Sequence, residues 1–303
     1  MREEIPEALA GERLDRVVAM VTQLTRATAG GLVDDGAVRL DGATVRNRSR
    51  KVVAGQVLEV DVPELRPQRA VLADPDVEFG VVHEDDHVVV IDKPPHLVVH
   101  PGAGNDAGTL VSGLLARYPE IAAVGEASRP GIVHRLDSGT SGLVVVARSA
   151  VAYPSLVEQL QRRDVERRYI AVVLGHIETN QGVIDAPIGR SGGDRTRMAV
   201  SADGRDARTR YVVEKRFTEP VPLSLVECRL ETGRTHQIRV HLAAIGHPVA
   251  GDPRYGGSRP AIALGRPFLH ARRLAFDHPV TGERLAFDSP LPLDLQTFLD
   301  GLA

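Results

Sequence analysis

The residues best suited to chemistry lie in one short segment near the middle of the chain. Gly131–Leu143 contains the run His134-Arg135-Leu136-Asp137, and the apolar run Val144–Ala147 follows at once. The β-branched run predicts a buried strand, and the glycines allow a tight turn with close backbone approach. Such a turn would hold the Asp137 carboxylate at the mouth of a cleft beside the Arg135 cation. We therefore expect chemistry based on an ionised carboxylate in this segment.

Two other segments carry polar side chains that could join this carboxylate. Arg167-Arg168-Tyr169 places a tyrosine at the start of a predicted strand. Gly233–Arg239 leads into a predicted helix, and Thr235 is the expected N-terminal cap. Taken alone, Tyr169 indicates only a core tyrosine and Arg239 only a surface ion pair. Their combination with Asp137 indicates a functional site.

Three further patterns imitate known motifs. His83–His87 matches the H-E-x-x-H zinc string, but that motif works on a helix, and here it lies between two β-type runs, so we predict a hairpin turn. Gly102–Ala107 loosely resembles a dinucleotide fingerprint, but Pro101 and the missing acid-tipped strand count against it. Ser138 and the hydroxyl residues after it lack the spacing of a nucleophile elbow, so we expect them to bond the turn backbone.

Composition narrows the class of protein. The chain has 303 residues, enough for two domains, and a single cysteine, Cys228, which excludes an intrachain disulfide and a cysteine-based zinc site. It contains no apolar run long enough to span a membrane, and its acidic N-terminus is not a secretory signal. We therefore expect a cytoplasmic protein with no membrane partner.

Positive charge is concentrated in two stretches, although the net charge is −3. Residues 229–273 hold eight arginines against two acids. Residues 39–51 hold five basic residues against one acid, and these are Arg39, Arg46, Arg48, Arg50 and Lys51. A local basic stripe on a mildly acidic body can bind a polyanion, and guanidinium groups pair with phosphate oxygens.

The order of predicted elements indicates two domains. Residues 1–62 read as a small αβ domain with two helices, the second from Arg26 to about Asp34 with Thr25 as its cap, and then short β pieces. Residues 63–76 contain three prolines and predict a linker. Residues 77–303 form the second domain.

β-type patterning dominates the second domain. The predicted strands are Val77–Val82, Val88–Asp92, Gly142–Arg148, Tyr169–Leu174, Thr209–Lys215, Ser224–Leu230 and Glu283–Phe287. The predicted helices are Thr109–Tyr118, Tyr153–Arg163 and Thr235–Ala244. Because helices interrupt the strands irregularly, we predict an α+β fold: a mixed, largely antiparallel sheet with flanking helices, not a doubly wound one.

Taken together, these motifs resemble the RluA-type pseudouridine synthases. The resemblance runs in order from about residue 80 to about residue 290 and rests on Asp92-Lys93-Pro94, His134–Gly142, the Tyr169 strand, Ala186–Arg190, Gly233–Arg239, and Gly246–Asp252 with Tyr255-Gly256. Residues 11–62 resemble the RNA-binding domain of small-subunit ribosomal protein S4. The pairing of these two domains resembles the branch that modifies large-subunit ribosomal RNA.

The resemblance implies an isomerase that converts uridine to pseudouridine in structured RNA. The reaction needs no redox change and no net hydrolysis, so no cofactor and no metal are expected. By resemblance Asp137 is the catalytic carboxylate, and Arg239 keeps it ionised and oriented. Tyr169 would stack on the base and help to remove the ring-carbon proton, while Ile238 would supply an apolar wall. The residues do not reveal whether Asp137 attacks the sugar, attacks the ring or removes a sugar proton.

The expected partner is RNA. A stacked uridine must be flipped out of its helix before it can react, and Arg135, with His134 beside it, would occupy the vacated space or stack on a neighbouring base. The basic residues of 39–51 would grip phosphates. We expect the substrate to be a stem-loop of 23S ribosomal RNA, with transfer RNA as the alternative, and the protein to be a monomer.

Two other functions stay open at this point. One is an RNA-binding assembly factor with an inactive catalytic fold. The other is a glycoside or nucleoside hydrolase with Asp137 as nucleophile, although such enzymes usually pair two carboxylates and this motif has one. The chain also departs from the family in having Asp92 for asparagine, His96 for glycine and Arg167 for a common lysine.

Overall fold

The chain folds as two compact units, Met1–Arg69 and Ala70–Ala303. The computed structural model describes residues 1–24, 26–62, 71–102, 107–194 and 197–303, so the expected cap Thr25 and residues 63–70 of the predicted linker lie outside the described residues. Val71 packs against the core of the second unit, and the Asp74 backbone N–H donates to the Ser112 carbonyl at 2.9 Å. The second unit therefore already includes residues 71–76, which the sequence assigned to the linker.

The first unit has two helices beside a small antiparallel sheet. Its elements are β1 (Arg2–Glu4), α1 (Leu14–Thr22), α2 (Arg26–Asp35), β2 (Val38–Leu40), β3 (Ala43–Thr44) and β4 (Val57–Val60), and the strand order is β1-β4-β2-β3. The apolar face of α1 packs with α2 and the sheet in a core of its own. The two helices followed by short strands match the prediction. Strand β1 was not predicted, because its side chains are exposed and polar.

The second unit is built around a sheet of nine strands. The strands of this sheet are β5 (Gly80–Glu84), β6 (Val88–Lys93), β7 (Ser141–Ala147), β8 (Glu166–Leu174), β9 (Gln181–Asp185), β12 (Arg208–Phe217), β13 (Leu223–Leu230), β14 (Leu269–Asp277) and β15 (Arg284–Asp288). A separate two-stranded sheet consists of β10 (Ile188–Arg190) and β11 (Met198–Val200). The large sheet has the order β5-β6-β7-β14-β8-β13-β12-β9, with β15 also paired to β14. Among the described strands, β7 and β14 are parallel and the other pairs are antiparallel, which confirms the predicted fold class.

Helices cover both faces of this sheet. They are α3 (Leu110–Arg117), α4 (Ala152–Arg162), α5 (Gln237–Ala244) and α6 (Leu293–Asp300). Along β6, Val89 and Ile91 join the core that contains α3, while Val88 and Val90 join the core that contains α4. Burial on both faces explains why β6 and β7 read as uninterrupted apolar runs and were easy to predict. The first predicted strand starts at Gly80 instead of Val77, because Val77 packs against Gly113 of α3.

Side-chain and backbone contacts hold the Asp137 loop against the sheet. The amine of Lys93, at the end of β6, donates to the carbonyls of Pro94, Leu97 and Ser138 at 2.8, 2.9 and 3.2 Å. Gly142 has a φ of +108°, and a Cβ there would lie 2.3 Å from the Ala271 carbonyl oxygen of β14. Glycine is therefore required where β7 begins, directly after the loop.

Candidate active site

The structure brings Asp137 and Arg239 together. They are 102 positions apart in the sequence, and the Arg239 Nη1 donates to Asp137 Oδ2 at 2.9 Å. Arg239 projects from the first turn of α5 and is buried, whereas the Asp137 side chain keeps 16 % of its surface exposed. The pair therefore combines a buried cation with a carboxylate that a ligand can reach.

A second carboxylate fixes the arginine. Asp252 is fully buried and accepts hydrogen bonds from Arg239 Nε at 2.6 Å and Nη2 at 2.9 Å. Its Oδ1 also accepts the backbone N–H groups of Arg254 at 2.9 Å and Tyr255 at 3.3 Å. Although burial opposes the charge, Asp252 and Asp137 raise the pKa of Arg239 above its ordinary value. With its oxygens occupied in this way, Asp252 orients Arg239 and is not a second reactive acid.

Helix α5 begins differently from the prediction. The residue before the helix is His236 in the left-handed conformation, with φ +56°, and Thr235 does not cap it. The side chain of Gln237 instead holds the turn before the helix, because its Oε1 accepts the Arg234 backbone N–H at 3.0 Å and the Thr232 hydroxyl at 2.7 Å. The prediction that Thr235 caps this helix was wrong, because the turn is held by the side chain of Gln237, which lies inside the helix.

The same turn carries His236 toward the carboxylate. Its Nδ1 lies 2.8 Å from the Tyr255 hydroxyl and its Nε2 lies 4.0 Å from Asp137 Oδ1. Burial lowers the pKa of His236, although Asp137 opposes the shift. Sequence analysis did not select His236 or Asp252 as site residues, and the signal for both was their place inside the family motifs.

Tyr169 and Ile238 form apolar walls beside Asp137. Both are buried, and both line a small cavity that Asp137 and Leu230 also line. Burial raises the pKa of Tyr169 to about 12, so its side chain is a protonated phenol at neutral pH. The arrangement offers a flat aromatic ring and an aliphatic branch next to a carboxylate.

Two larger cavities meet at Asp137. One, of about 460 Å³, is lined by Tyr169, His134 and several arginines, and the other, of about 440 Å³, is lined by His236 and Arg239. Arg135 lines both, is exposed, and donates to His100 Nε2 at 3.3 Å. A larger cavity of about 910 Å³, around Phe79 and Pro94, is not lined by Asp137. We place the site in the two cavities that meet at Asp137, because they contain the paired charges.

His134 lies inside the first cavity and not on an open surface. The Val145 backbone N–H donates to its Nε2 at 3.1 Å, which ties the Asp137 loop to β7. Burial, assisted by Arg167, lowers the pKa of His134 to about 3, so the ring is neutral. Its Nδ1 is buried and has no partner among the described residues.

The basic residues of the first unit that we predict to bind RNA are exposed. They are Arg39, Arg46, Arg48, Arg50 and Lys51. Arg48 Nε donates to the Asp34 carboxylate at 2.7 Å, and Arg46 Nη1 donates to the Asp34 carbonyl at 2.7 Å.

The H-E-x-x-H segment is a hairpin turn, as predicted. It connects β5 to β6, and the Asp85 carboxylate accepts the backbone N–H groups of His87 and Val88 at 2.7 and 2.8 Å.

In the part of the chain that the structure describes, no helix has the length and apolar character needed to cross a membrane.

The fold and the charged cleft agree with what comparison with known proteins shows. The RNA pseudouridylate synthase family matches residues 87–244. The chain belongs to this family, whose members are isomerases that convert uridine to pseudouridine in RNA. The resemblance to the RluA-type branch is therefore confirmed.

Individual relatives cover nearly the whole chain. A protein of Xanthomonas campestris pv. campestris named ribosomal large subunit pseudouridine synthase D is 46 % identical over 311 residues, 98 % of this chain and 91 % of that protein. An uncharacterized RNA pseudouridine synthase of Bacillus subtilis, YlyB, is 44 % identical over 98 % of this chain and 96 % of its own length. The structure of human RNA pseudouridylate synthase domain containing 1 has a TM-score of 0.57 and 28 % identity, over 71 % of this chain and 84 % of that one.

Proposed function

We propose that this protein isomerises uridines in a stem-loop of large-subunit (23S) ribosomal RNA and that Asp137 is its catalytic carboxylate. The substrate class is supported by the relatives named ribosomal large subunit pseudouridine synthase D. The observation that carries the assignment of Asp137 is its pairing with Arg239 where two cavities meet. Arg239 binds Oδ2 and leaves Oδ1 to act on the nucleotide.

The neighbouring residues divide the remaining tasks. Tyr169 stacks on the flipped uracil and Ile238 closes the other side, so that the detached ring stays in place until it rejoins the sugar through carbon. Arg135, exposed between the two cavities, takes the place of the extruded nucleotide or stacks on a neighbouring base. The sugar–base bond is broken and remade without oxidation or hydrolysis, so neither cofactor nor metal is needed.

The first unit serves as an S4-like RNA-binding domain in this proposal. Its exposed basic residues 39–51 contact phosphates outside the target stem-loop and hold the enzyme on folded RNA. The protein works as a monomer in the cytoplasm. Transfer RNA is the alternative substrate, and the experiment below distinguishes it.

The test compares Asp137→Asn with the wild type on transcribed fragments of 23S ribosomal RNA and on transfer RNA. Asparagine keeps an oxygen for Arg239, so folding and RNA affinity are expected to stay within about 3-fold, while pseudouridine formation is lost because no carboxylate remains. The surface variant Asp288→Asn is the matched control and keeps full activity, because the exposed Asp288 side chain pairs with Arg273 at the surface, away from Asp137. Pseudouridines are mapped by carbodiimide labelling and primer extension.

Each competing function has its own result in this assay. Wild-type turnover by Asp137→Asn would refute the role of Asp137. Tight binding of ribosomal RNA by the wild type without any pseudouridine would indicate an assembly factor, and release of free uracil would indicate a hydrolase. Modification confined to transfer RNA would move the substrate assignment and leave the chemistry intact.

A further inference from the structure

Arg167 is a buried cation that has no ion-pair partner in the described part of the chain. Its side chain is on β8, only 6 % of the residue is exposed, and it lines the 460 Å³ cavity. It makes neither a hydrogen bond nor an ion pair with any residue that the structure describes, and its Nε is completely buried. Burial lowers the pKa of Arg167, but a guanidinium keeps its proton in proteins. The contrast with Arg239, which has two carboxylate partners, is sharp.

Two histidines line the same cavity. His134 Nε2 accepts from Val145 and His100 Nε2 accepts from Arg135, so in each neutral ring the proton sits on Nδ1. Both Nδ1 atoms are buried and have no partner in the described part of the chain. Arg167 and both histidines thus line one cavity, and each has a buried N–H group without an acceptor among the described residues.

Unpaired donors and unpaired charge are unfavourable inside a protein. A guanidinium of this kind lining the cavity that contains Asp137 indicates a ligand with oxygen acceptors. Two parts of a flipped nucleotide supply such oxygens, namely the phosphates and the carbonyl oxygens of the uracil ring. Both are sources of the same chemistry, an oxygen that carries negative charge.

Burial decides between these two sources. Phosphates remain at the solvent boundary, where the exposed Arg135 and Arg205 line the rim of the cavity. Arg167 is buried and lies two residues before Tyr169 on the same strand, so the two side chains share one face of the sheet. A base stacked on Tyr169 would turn its edge toward Arg167.

We propose that Arg167 binds a carbonyl oxygen of the uracil ring and stabilises the negative charge that the ring acquires during the reaction. The inference rests on the proposed function. When the C1′–N1 bond breaks, its electron pair stays on the ring and spreads over N1 and the two carbonyl oxygens. The ring then forms the C1′–C5 bond, C5 loses its proton to a base, and N1 takes up one proton, so no atom is gained or lost. Arg167 acts on the charged intermediate and exchanges no proton.

The experiment measures single-turnover rates and RNA affinities of Arg167→Gln and Arg167→Lys at saturating enzyme. Removal of a donor aimed at developing charge lowers a rate by about 100-fold or more, so we expect that loss in Arg167→Gln with affinity unchanged within about 3-fold. Arg167→Lys keeps the charge and is expected to stay within about 10-fold of the wild type. Arg168→Gln is the matched control with wild-type rates, because Arg168 pairs with Glu166 and Glu227 on the other face of the strand.

A second substrate separates charge stabilisation from a structural role. Fluorine at C5 withdraws electrons and makes the ring anion more stable, so RNA with 5-fluorouridine at the target should show a smaller difference between wild type and Arg167→Gln in the consumption of that nucleotide. We also expect Arg167→Gln to melt at the same temperature as the wild type or higher, since it removes an unpaired buried charge. An equal defect on both substrates, or a lower melting temperature, would overturn the proposal in favour of a structural role.

The phosphate alternative predicts a different pattern. Loss of a phosphate contact would weaken RNA binding and reduce the slope of log affinity against log salt by about 0.7 to 0.9, with the single-turnover rate unchanged. That result would overturn the assignment to uracil. If the wild type forms no pseudouridine in any RNA, the proposed function fails; if it is active and the Arg167 variants match it, only this inference fails.

Discussion

The substitution Asp252→Asn tests how the site is held together. Asp252 has no contact with the cavity surface, yet both its oxygens bind Arg239, which in turn binds Asp137. Asparagine has the same shape and removes one negative charge. If it retains the Oδ1 contacts with three N–H groups, its amide nitrogen takes the place of Oδ2 and faces the Arg239 Nε–H, donor against donor.

The structure sets the size of the expected effect. Breaking a buried ion pair by changing one partner costs about 3 to 5 kcal/mol, and the low end applies because Arg239 keeps Asp137 as a partner. For a unit of this size each kcal/mol lowers the melting temperature by about 2 to 4 °C, so a fall of about 6 to 12 °C is expected. Activity should fall about 100-fold, because Arg239, no longer fixed by Asp252, shifts and moves the Asp137 carboxylate bound to it out of its reactive position.

The assay combines thermal unfolding with single-turnover pseudouridine formation at saturating enzyme, below the melting temperature of the variant. Asp288→Asn serves again as control, since its exposed pair with Arg273 contributes about 0 to 1 kcal/mol. A variant Asp252→Asn that loses stability but turns over like the wild type would show that Asp252 supports the fold without positioning Asp137. Wild-type values in both measurements would refute the geometry itself.

Two other predictions follow from the charges of the two units. Burial lowers the pKa of Lys93 to about 7, against 10.5 for a free lysine, and Asp137 only partly opposes this shift. Between these two pH values the unfolded chain binds a proton that the folded chain does not. The free energy of unfolding should therefore rise by about 1.4 kcal/mol per pH unit, relative to that of Lys93→Met. Chemical denaturation of both proteins from about pH 6 to about pH 9 measures this, and a constant difference would contradict the low pKa. The combined change of Arg39, Arg50 and Lys51 to glutamine should reduce the salt slope of binding to folded ribosomal RNA by up to about 3, in filter-binding titrations. Arg162→Gln on α4 is the control, and an unchanged slope in the triple variant would exclude this surface from RNA contact.

The predictability of each strand depended on how it is buried. Strands β6 and β7 were predicted because both of their faces are covered, so that nearly every residue is apolar. Strand β14 lies at the centre of the sheet and was missed, because His270, Arg272 and Arg273 interrupt its apolar pattern. His270 is buried only because Ser141 of β7 and the Ser289 carbonyl lie within hydrogen-bond distance of its ring. Such compensation comes from distant segments and leaves no local signal.

The residues of the site, like the strands, were predicted only in part. The motif around Asp137 stood out locally, but its pairing with Arg239 was expected from the family resemblance and not from spacing. The left-handed conformation of His236 and the hydrogen bond from the Arg234 backbone N–H to Gln237 belong to one turn, and none of its residues signals that turn locally. A sequence does not reveal that Arg167 lacks a carboxylate partner in the described part of the chain, because its partners would come from distant segments.

The two buried arginines of the site make opposite electrostatic contributions. Arg239 is shared by Asp137 and Asp252, so this cluster has one negative charge more than it has positive charge. Arg167 has a positive charge and forms no ion pair with a carboxylate of the described residues. The proposed reaction makes the sugar electron-poor and the ring electron-rich, so it calls for opposite charges at the two parts of the nucleotide, and the Asp137–Arg239–Asp252 cluster and Arg167 supply opposite charges within one site.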